Sequence, residues 1–252
     1  MRRVSRLTVF FAGELGLAAL LTAAALHEPG PTSERDRYRV ATTAPSVDLR
    51  QVTDAVSAVN FDFRGIDTLG EEFILFVSVS GVLVLLREPE AEERGLIIDA
   101  ADAGRDMKPT SAMRGWMVGT VGPKVLFGLY IVGHGALSPG GGFQGGVILA
   151  TAPMIIYLAD GFKVFRRIVK FRMVEIAEAA GATAFLVLGL LGILAGREYL
   201  TNVLPLGEAN TASSGGTVVA ISWATGIEVC AGFVLVMYAF LQHVLAKREA
   251  AE

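Results

Sequence analysis

Six long apolar runs, separated by charged stretches, constrain this chain more than any other feature of its sequence. A helix that crosses roughly 30 Å of hydrocarbon needs about 20 residues at 1.5 Å rise per residue. The runs that approach this length are Leu7–Leu26, Leu69–Leu86, Trp116–Leu137, Gly145–Ala159, Val174–Ala195 and Val218–His243. We therefore predict an all-α, polytopic membrane protein with six transmembrane helices. The first run is expected to remain as a helix and not to be cleaved as a signal peptide, because its apolar stretch is long and Glu14 interrupts it.

The composition supports this class and excludes several others. Hydrophobic residues make up 52% of the 252 residues, and the mean hydropathy is +0.52. A net charge of −3 gives no reason to expect a nucleic-acid partner. Cys230 is the only cysteine and lies in an apolar run, while the histidines His27, His134 and His243 fall at different levels of the chain. We therefore expect no disulfide framework, metal site, cofactor or nucleophilic triad.

Basic residues between the runs predict the orientation in the membrane, since short cytoplasmic connections are enriched in lysine and arginine. The connection after the fourth run carries Lys163, Arg166, Arg167, Lys170 and Arg172. The turn after the third run carries none, so both termini are expected in the cytoplasm and this turn outside. The segment Phe162–Met173 is also predicted to lie as an amphipathic helix at the inner surface, as a topological anchor or as a site for anionic lipid.

The turn between the third and fourth runs is rich in glycine. Its residues are Pro139, Gly140, Gly141, Gly142 and Phe143, and Gly145 and Gly146 follow. Consecutive glycines adopt backbone angles that are closed to other residues, so a tight turn is predicted. The spacing Gly140, Gly142, Gly145 also matches a dinucleotide-binding motif, but that motif requires a preceding strand and a βαβ unit. We reject it, because here the glycines separate two predicted membrane helices.

The segment LYIVGHGALSPGGGFQGGVILA, residues 129–150, resembles the signature of the MnhB/MrpB subunit family of multisubunit Na+/H+ antiporters and its relatives in membrane-bound hydrogenases. The likeness rests on the His-Gly pair, the Pro-Gly-Gly-Gly-Phe turn and the following Gly-Gly. It implies a membrane subunit that works in a hetero-oligomer with larger antiporter-like subunits, with Na+ and H+ as the transported ions.

A second resemblance lies upstream, in residues 59–88. Asp62, Arg64, Gly65 and Asp67 match the end of the MrpA antiporter subunit, which also occurs as the MbhE-type subunit. A charged stretch with two prolines, residues 87–114, follows and lacks spanning potential. The chain is therefore interpreted as a fusion of a two-helix unit, residues 1–100, and a four-helix MnhB-like unit, residues 101–252.

The last run departs from the antiporter pattern, which places a Phe-Asp pair shortly before the glycine of the final helix. This chain has Trp223-Ala224-Thr225-Gly226 there, followed by Glu228. The ending is more similar to the hydrogenase-associated relatives. The resemblance therefore implies either an Mrp-type antiporter or a hydrogenase-type or related redox complex as the host.

Ionisable residues inside the runs are the candidates for an ion or proton path, because such a side chain at the bilayer centre costs about 2.5 to 3.5 kcal/mol on insertion scales. Glu228 lies near the middle of the sixth run, and passage of protons or ions is favoured for it over a structural hydrogen bond. Lys124 follows Gly122-Pro123 in the third run and is expected either to relay protons or to pair with a carboxylate of another helix. Glu14, in the first run, is expected to contact a neighbouring subunit or to line a hydrated path.

Three further candidates lie nearer the ends of their runs. Glu178 is one turn deeper than Glu175 in the fifth run and is interpreted as an ion entrance. Glu71 and Glu72 open the second run, and the family resemblance selects Glu71. His134 can exchange a proton near neutral pH, and an interfacial hydrogen bond explains it equally well.

Three hypotheses for function follow. The first is a subunit of a cation/proton antiporter complex that contributes intramembrane acidic and basic residues to the ion path. The second is a membrane-arm subunit of a redox complex with the same kind of path. The third is a structural scaffold whose glycine-rich faces pack helices closely. No catalytic centre is expected in the chain under any of them.

Overall fold

A computed structural model of the chain describes residues 33–86 and 109–249, together with scattered positions between residues 11 and 26. Within these residues all regular structure is helical. The helices are α1 Ser33–Asp48, α2 Ala55–Ala58, α3 Gly65–Leu85, α4 Ser111–Gly133, α5 Gly142–Asp160, α6 Phe162–Ile168, α7 Phe171–Leu194 and α8 Thr217–Glu249, with a π-helical turn at Val59–Phe63.

Five of these helices, α3, α4, α5, α7 and α8, are long and apolar enough to cross a membrane. They correspond to the second to sixth predicted runs, and the all-helical prediction is confirmed for the described residues. The first predicted run is described only at scattered positions, which are helical, and Glu14 lies outside the described residues. The count of six spans therefore stays a prediction.

The chain divides into two compact units, Met1–Ala41 and Thr42–Glu252. Helices α2 to α8 lie within the second unit. The proposed boundary between a two-helix and a four-helix part falls in residues 87–108, which are outside the described residues, and it stays a prediction. Within the second unit, α3 packs on α7 and α8.

Helix α8 is the centre of the bundle. About 61% of its membrane window is buried inside the protein, against 11–33% for the other four candidate spans. It packs along α5 and α7 and, over shorter stretches, along α3 and α4. A polar residue on the buried face of α8 is therefore surrounded by protein and not by lipid.

The glycine-rich turn joins α4 to α5 as predicted. Gly140 and Gly141 have φ of +155° and +106°, and the Gly141 N–H donates to Ile131 O at 3.2 Å. Gly146, on α5, lies against α8, where an added Cβ would be 2.9 Å from Gly226 O and 2.8 Å from the Val229 Cβ. The glycines thus close the turn and let two helices pack at backbone distance.

The segment between α5 and α7 differs from the prediction of one amphipathic surface helix over Phe162–Met173. Helix α6 ends at Ile168, and extended residues Val169 and Lys170 separate it from α7. Phe162 and Phe165 are fully buried and pack on Tyr238 of α8, with ring centroids 5.6 and 5.7 Å away. The apolar face of α6 is therefore occupied by the protein itself.

Candidate functional site

Three carboxyl groups are buried among the membrane-spanning helices. Glu72 of α3, Glu178 of α7 and Glu228 of α8 are 2%, 5% and 0% exposed. Glu228 lies 11 residues, or about 16 Å, from Thr217 at the start of α8, and therefore close to the middle of a bilayer. A carboxyl group at this depth is costly unless it has a proton, a cation or a polar partner.

Glu72 and Glu228 face each other between α3 and α8. They line a cavity of about 10 Å³ together with Leu69, Phe76 and Ala182, and this volume is near the smallest that admits one water molecule. Thr225 lies one turn before Glu228, within interaction range of Glu72. The two carboxyl groups and this hydroxyl form the polar interior of the bundle at this level.

Glu178 continues the arrangement one helical turn further along α8. Its Oε1 atom lies 3.5 Å from the position that a Cβ on Gly232 would occupy, and Gly232 is four residues after Glu228. We call Glu72, Glu228 and Glu178 the carboxyl row. In the described part of the chain no group of three or more histidine, cysteine or acidic residues converges on a point where a metal ion would be held. The row is thus a sequence of positions and not one chelating site.

The carboxyl oxygens of the row are largely without hydrogen bonds. Both oxygens of Glu72, both of Glu228 and Oε1 of Glu178 are buried, and no described group forms a hydrogen bond of normal geometry with them, although Glu228 and Thr225 lie within interaction range of Glu72. The Thr225 hydroxyl is likewise buried without a hydrogen-bond partner among the described residues. Buried polar groups are nearly always satisfied in native proteins. The row can therefore bind a proton, a water molecule or a cation reversibly.

Small residues on α7 and α8 create the space for the row. Gly181 of α7 lies against Glu228, where an added Cβ would be 2.7 Å from the Glu228 N atom. Gly232 of α8 leaves room for the Glu178 carboxyl group in the same way. The glycines thus bring two acid-bearing helices to backbone distance, which larger side chains would prevent.

The structure brings together two of the predicted path residues, Glu178 and Glu228, but does not place Lys124 with them. Lys124 is half-buried on α4, a helix that packs mainly on α5. It does not line the cavity between Glu72 and Glu228, and no ion pair within 4.0 Å joins it to a carboxylate of the described residues. Its predicted role as a proton relay stays a prediction.

Glu72 is the buried carboxylate that the sequence reasoning passed over in favour of Glu71. Glu71 is exposed on α3, whereas Glu72 points into the protein. A signal was present: Leu69, Glu72, Phe76 and Val79 are spaced by three or four residues and share one helical face. That face packs on the bundle, so its acid is buried with it.

His134 lies at the end of α4, away from the carboxyl row. Its ring stacks on Tyr130 with centroids 3.8 Å apart, and its Nδ1 atom lies 3.1 Å from Tyr130 O, to which it donates. These contacts account for a histidine at a helix end, and a role in ion passage stays a prediction.

The motif that resembles the end of MrpA, formed by Asp62, Arg64, Gly65 and Asp67, connects the start of α3 to the loop before α8. Asp62 forms an ion pair with Arg50 at 2.6 Å, and Asn202 Nδ2 donates to Asp62 Oδ2 at 3.2 Å. Asn202 also accepts from Thr217 N at 2.9 Å. We call Arg50, Asp62 and Asn202 the polar clasp. The other motif residues lie beside the polar clasp. A Cβ added at Gly65 would lie 3.4 Å from Leu200 Cδ1, and Arg64 and Asp67 form an exposed ion pair.

Comparisons with known proteins agree with the membrane fold. The family model described as a domain related to the MnhB subunit of Na+/H+ antiporters matches residues 119–235. An uncharacterized protein of Methanocaldococcus jannaschii is 27% identical over 201 residues, which are 72% of this chain and 74% of that protein.

Two solved structures are similar over most of the chain. A chain of the membrane-bound sulfane sulfur reductase, an archaeal respiratory membrane complex, has a TM-score of 0.71 and 26% identity, and the likeness covers 92% of this chain and 97% of that one. A chain of the Mrp complex from Dietzia sp. DQ12-45-1b has a TM-score of 0.66 and 22% identity, which shows the fold, over 95% of this chain and 26% of that one.

The predicted resemblance to MnhB is confirmed by the family model. The matched region begins inside α4 and ends inside α8, so it contains the glycine-rich turn, Glu178 and Glu228. The protein is a multi-pass membrane protein, and its residues 119–235 match the model of a domain related to the MnhB subunit of Na+/H+ antiporters.

Proposed function

We propose that this chain is a membrane subunit of an Mrp-type cation/proton antiporter complex and that the carboxyl row is part of its ion or proton path. The observation that carries the proposal is the burial of Glu72, Glu178 and Glu228 at membrane depth, with no hydrogen bond of normal geometry from the described residues to the carboxyl oxygens of Glu72 and Glu228 or to Oε1 of Glu178. A purely structural role would be expected to satisfy such groups, since an unpaired buried polar group costs about 1–3 kcal/mol.

The spacing of the row suits transfer between neighbouring groups. Glu72 and Glu228 share a cavity near the size of one water molecule, and Glu178 follows one helical turn away along α8. Two ionised carboxylates side by side in an apolar interior repel each other, so the pair binds a proton or a cation between them. Transfer of that proton or cation to the next carboxyl group of the row is the elementary step of such a path.

The partners are inferred from the relatives. The MnhB-related domain and the fold shared with a chain of an Mrp complex support assembly with larger antiporter-like subunits, with Na+ and H+ as the exchanged ions. The chain supplies part of a path, and its neighbours supply the remainder. No catalytic centre is assigned to it.

A redox-driven complex is the second candidate. It is favoured by the likeness to a chain of the membrane-bound sulfane sulfur reductase, which extends over 97% of that chain. In this alternative the same carboxyl row serves a membrane arm that is driven by electron transfer in other subunits. Purification of the native complex distinguishes the antiporter from the redox complex, because a redox complex co-purifies with cofactor-bearing subunits.

The test is Glu228→Gln in the intact complex, with the Na+-dependent pH change measured in inverted vesicles alongside recovery of the assembled complex. Glutamine keeps the size of the side chain and removes its titration, so we expect transport to fall at least tenfold while assembly is retained. Glu175 carries an exposed carboxyl group three residues before Glu178 on α7, so Glu175→Gln is the matched control and should transport normally.

Normal transport by a fully assembled Glu228→Gln complex would remove this residue from the path. Loss of assembly in place of transport would support the scaffold hypothesis, in which the glycine-rich helix contacts are the purpose of the chain.

A further inference from the structure

An apolar groove of about 660 Å³ opens on the side of the bundle away from the carboxyl row. It lies between α4 and α5 on one side and α7 and α8 on the other. Representative lining residues are Val125, Ile156, Ala177, Trp223, Ile227 and Val234. Its walls are almost entirely hydrocarbon, and several lining side chains remain exposed, among them Ile227 at 47% and Met173 at 63%. The volume lies within the range of about 300–1,000 Å³ that holds small ligands.

The groove extends to both sides of the bilayer centre, because Trp223 and Val234 of its lining lie five residues before and six residues after Glu228 on α8. On α8 its lining runs from Trp223 to Val234, which are 11 residues apart and therefore span about 16 Å. The hydrocarbon core of a bilayer is about 30 Å thick, so each leaflet contributes roughly half of that. The groove covers about half of the hydrocarbon thickness, so it can hold an acyl chain that reaches past the bilayer centre but is too short for the whole length of a transmembrane helix of another subunit.

One end of the groove carries a positive charge. Lys170, in the extended break between α6 and α7, is the one charged side chain among the described lining residues. It is exposed, and no carboxylate of the described residues forms an ion pair with it. Arg166 and Arg167 precede it by four and three residues on α6. Basic pockets between transmembrane helices at a membrane surface are typical sites for anionic lipid head groups.

We propose that this groove binds one anionic glycerophospholipid, with an acyl chain along α8 and the phosphate at Lys170. The break after Ile168 is what makes the site: it turns the chain so that Lys170 stands at the rim while Phe162 and Phe165 stay buried behind it. The lipid then covers an apolar surface that the described part of the chain leaves open. The site shares no residue with the carboxyl row, so it does not depend on the proposed ion path.

The experiment uses the intact complex, delipidated in detergent and titrated with phosphatidylglycerol or with phosphatidylcholine, with bound lipid counted by native mass spectrometry. We expect preferential retention of phosphatidylglycerol and an apparent affinity reduced about tenfold or more by Lys170→Glu, since the substitution reverses the charge at the phosphate. Arg172→Glu is the matched control, because Arg172 is an exposed basic residue nearby that does not line the groove.

A second variant tests the apolar part independently. Ala177→Phe fills the groove and should also reduce lipid retention, whereas Ala179→Phe, on an exposed face of α7 outside the groove, should not. Equal binding of phosphatidylglycerol by the wild type and Lys170→Glu would overturn the proposal. So would loss of neighbouring subunits in Ala177→Phe with lipid binding unchanged in Lys170→Glu, because that result would assign the groove to a partner helix.

Discussion

Gly181 of α7 and Glu228 of α8 meet at backbone distance, with the Cβ position of Gly181 only 2.7 Å from the Glu228 N atom and 2.8 Å from the Glu228 Cβ. The buried acid is thus held where two helices approach most closely. This contact links the packing of the bundle to the geometry of the carboxyl row, because any residue that separates α7 from α8 also moves Glu178 relative to Glu228.

Gly181→Val should therefore damage both packing and transport. The added side chain has no room, and overpacking of a helix interface costs typically about 1–3 kcal/mol. We expect a lower midpoint of thermal unfolding for the detergent-purified complex and reduced transport in vesicles. Gly81→Val on α3 is the control, because nothing lies within 4 Å of its Cβ position in the described residues. Unchanged stability in Gly181→Val would mean that α7 and α8 are not in close contact in the assembled complex.

Glu72→Gln tests whether the acid that faces Glu228 belongs to the same path. Because the two carboxyl groups share one cavity, we expect Glu72→Gln to reduce transport to a similar degree as Glu228→Gln, and the double variant to be little worse than either one. The measurement is the Na+-dependent pH change in inverted vesicles.

Glu71→Gln is compared with Glu72→Gln, since the family resemblance favours Glu71 and the geometry favours its neighbour. The exposed carboxyl group of Glu71 does not line the cavity, so its replacement should leave transport near the wild-type rate. A strong defect in Glu71→Gln with a normal Glu72→Gln would reverse this assignment.

The spans were predictable because hydropathy over about 20 residues is a direct consequence of the membrane as solvent. The residues at which the spans end were less predictable. Helix α4 ends at Gly133 and not at Leu137, and in the turn that follows an added Cβ at Gly135 would be 2.9 Å from Ser222 Oγ and 3.1 Å from Gly141 Cα. The four residues after Gly133 form a turn, in which Gly135 and Ala136 are buried. Hydropathy alone does not separate a buried turn from the last turn of a membrane helix.

Burial of individual acids was predictable only in part. Glu178 and Glu228 stand out because they interrupt apolar runs, but the cavity that joins Glu72 to Glu228 depends on how α3 crosses α8, which no local pattern encodes. The polar clasp was missed for the same reason: Asn202 is 140 residues from Asp62 in the chain, and their contact follows from the fold.

Asp62→Asn should destabilise the protein more than Asp67→Asn, although both carboxylates belong to the same motif. The Asp62 side chain is 5% exposed and pairs with Arg50, whereas the Asp67 side chain is 47% exposed and pairs with exposed Arg64. Exposed ion pairs contribute about 0–1 kcal/mol, and loss of one partner of a buried pair costs more. Thermal unfolding of the purified complex measures the difference. Equal midpoints for the two variants would show that the polar clasp does not hold α3 to the loop before α8.

The orientation proposed from the basic residues is tested by single cysteines in a background where Cys230 is replaced by alanine. Ser138→Cys lies in the glycine-rich turn at one end of the bundle, and Arg167→Cys lies on α6 at the other, where Arg167 is exposed. Lysine and arginine concentrate in short cytoplasmic connections. We therefore expect an impermeant maleimide added to intact cells to label Ser138→Cys but not Arg167→Cys, with both labelled after permeabilisation. The reverse pattern would overturn the orientation and would place the basic end of the lipid groove in the outer leaflet.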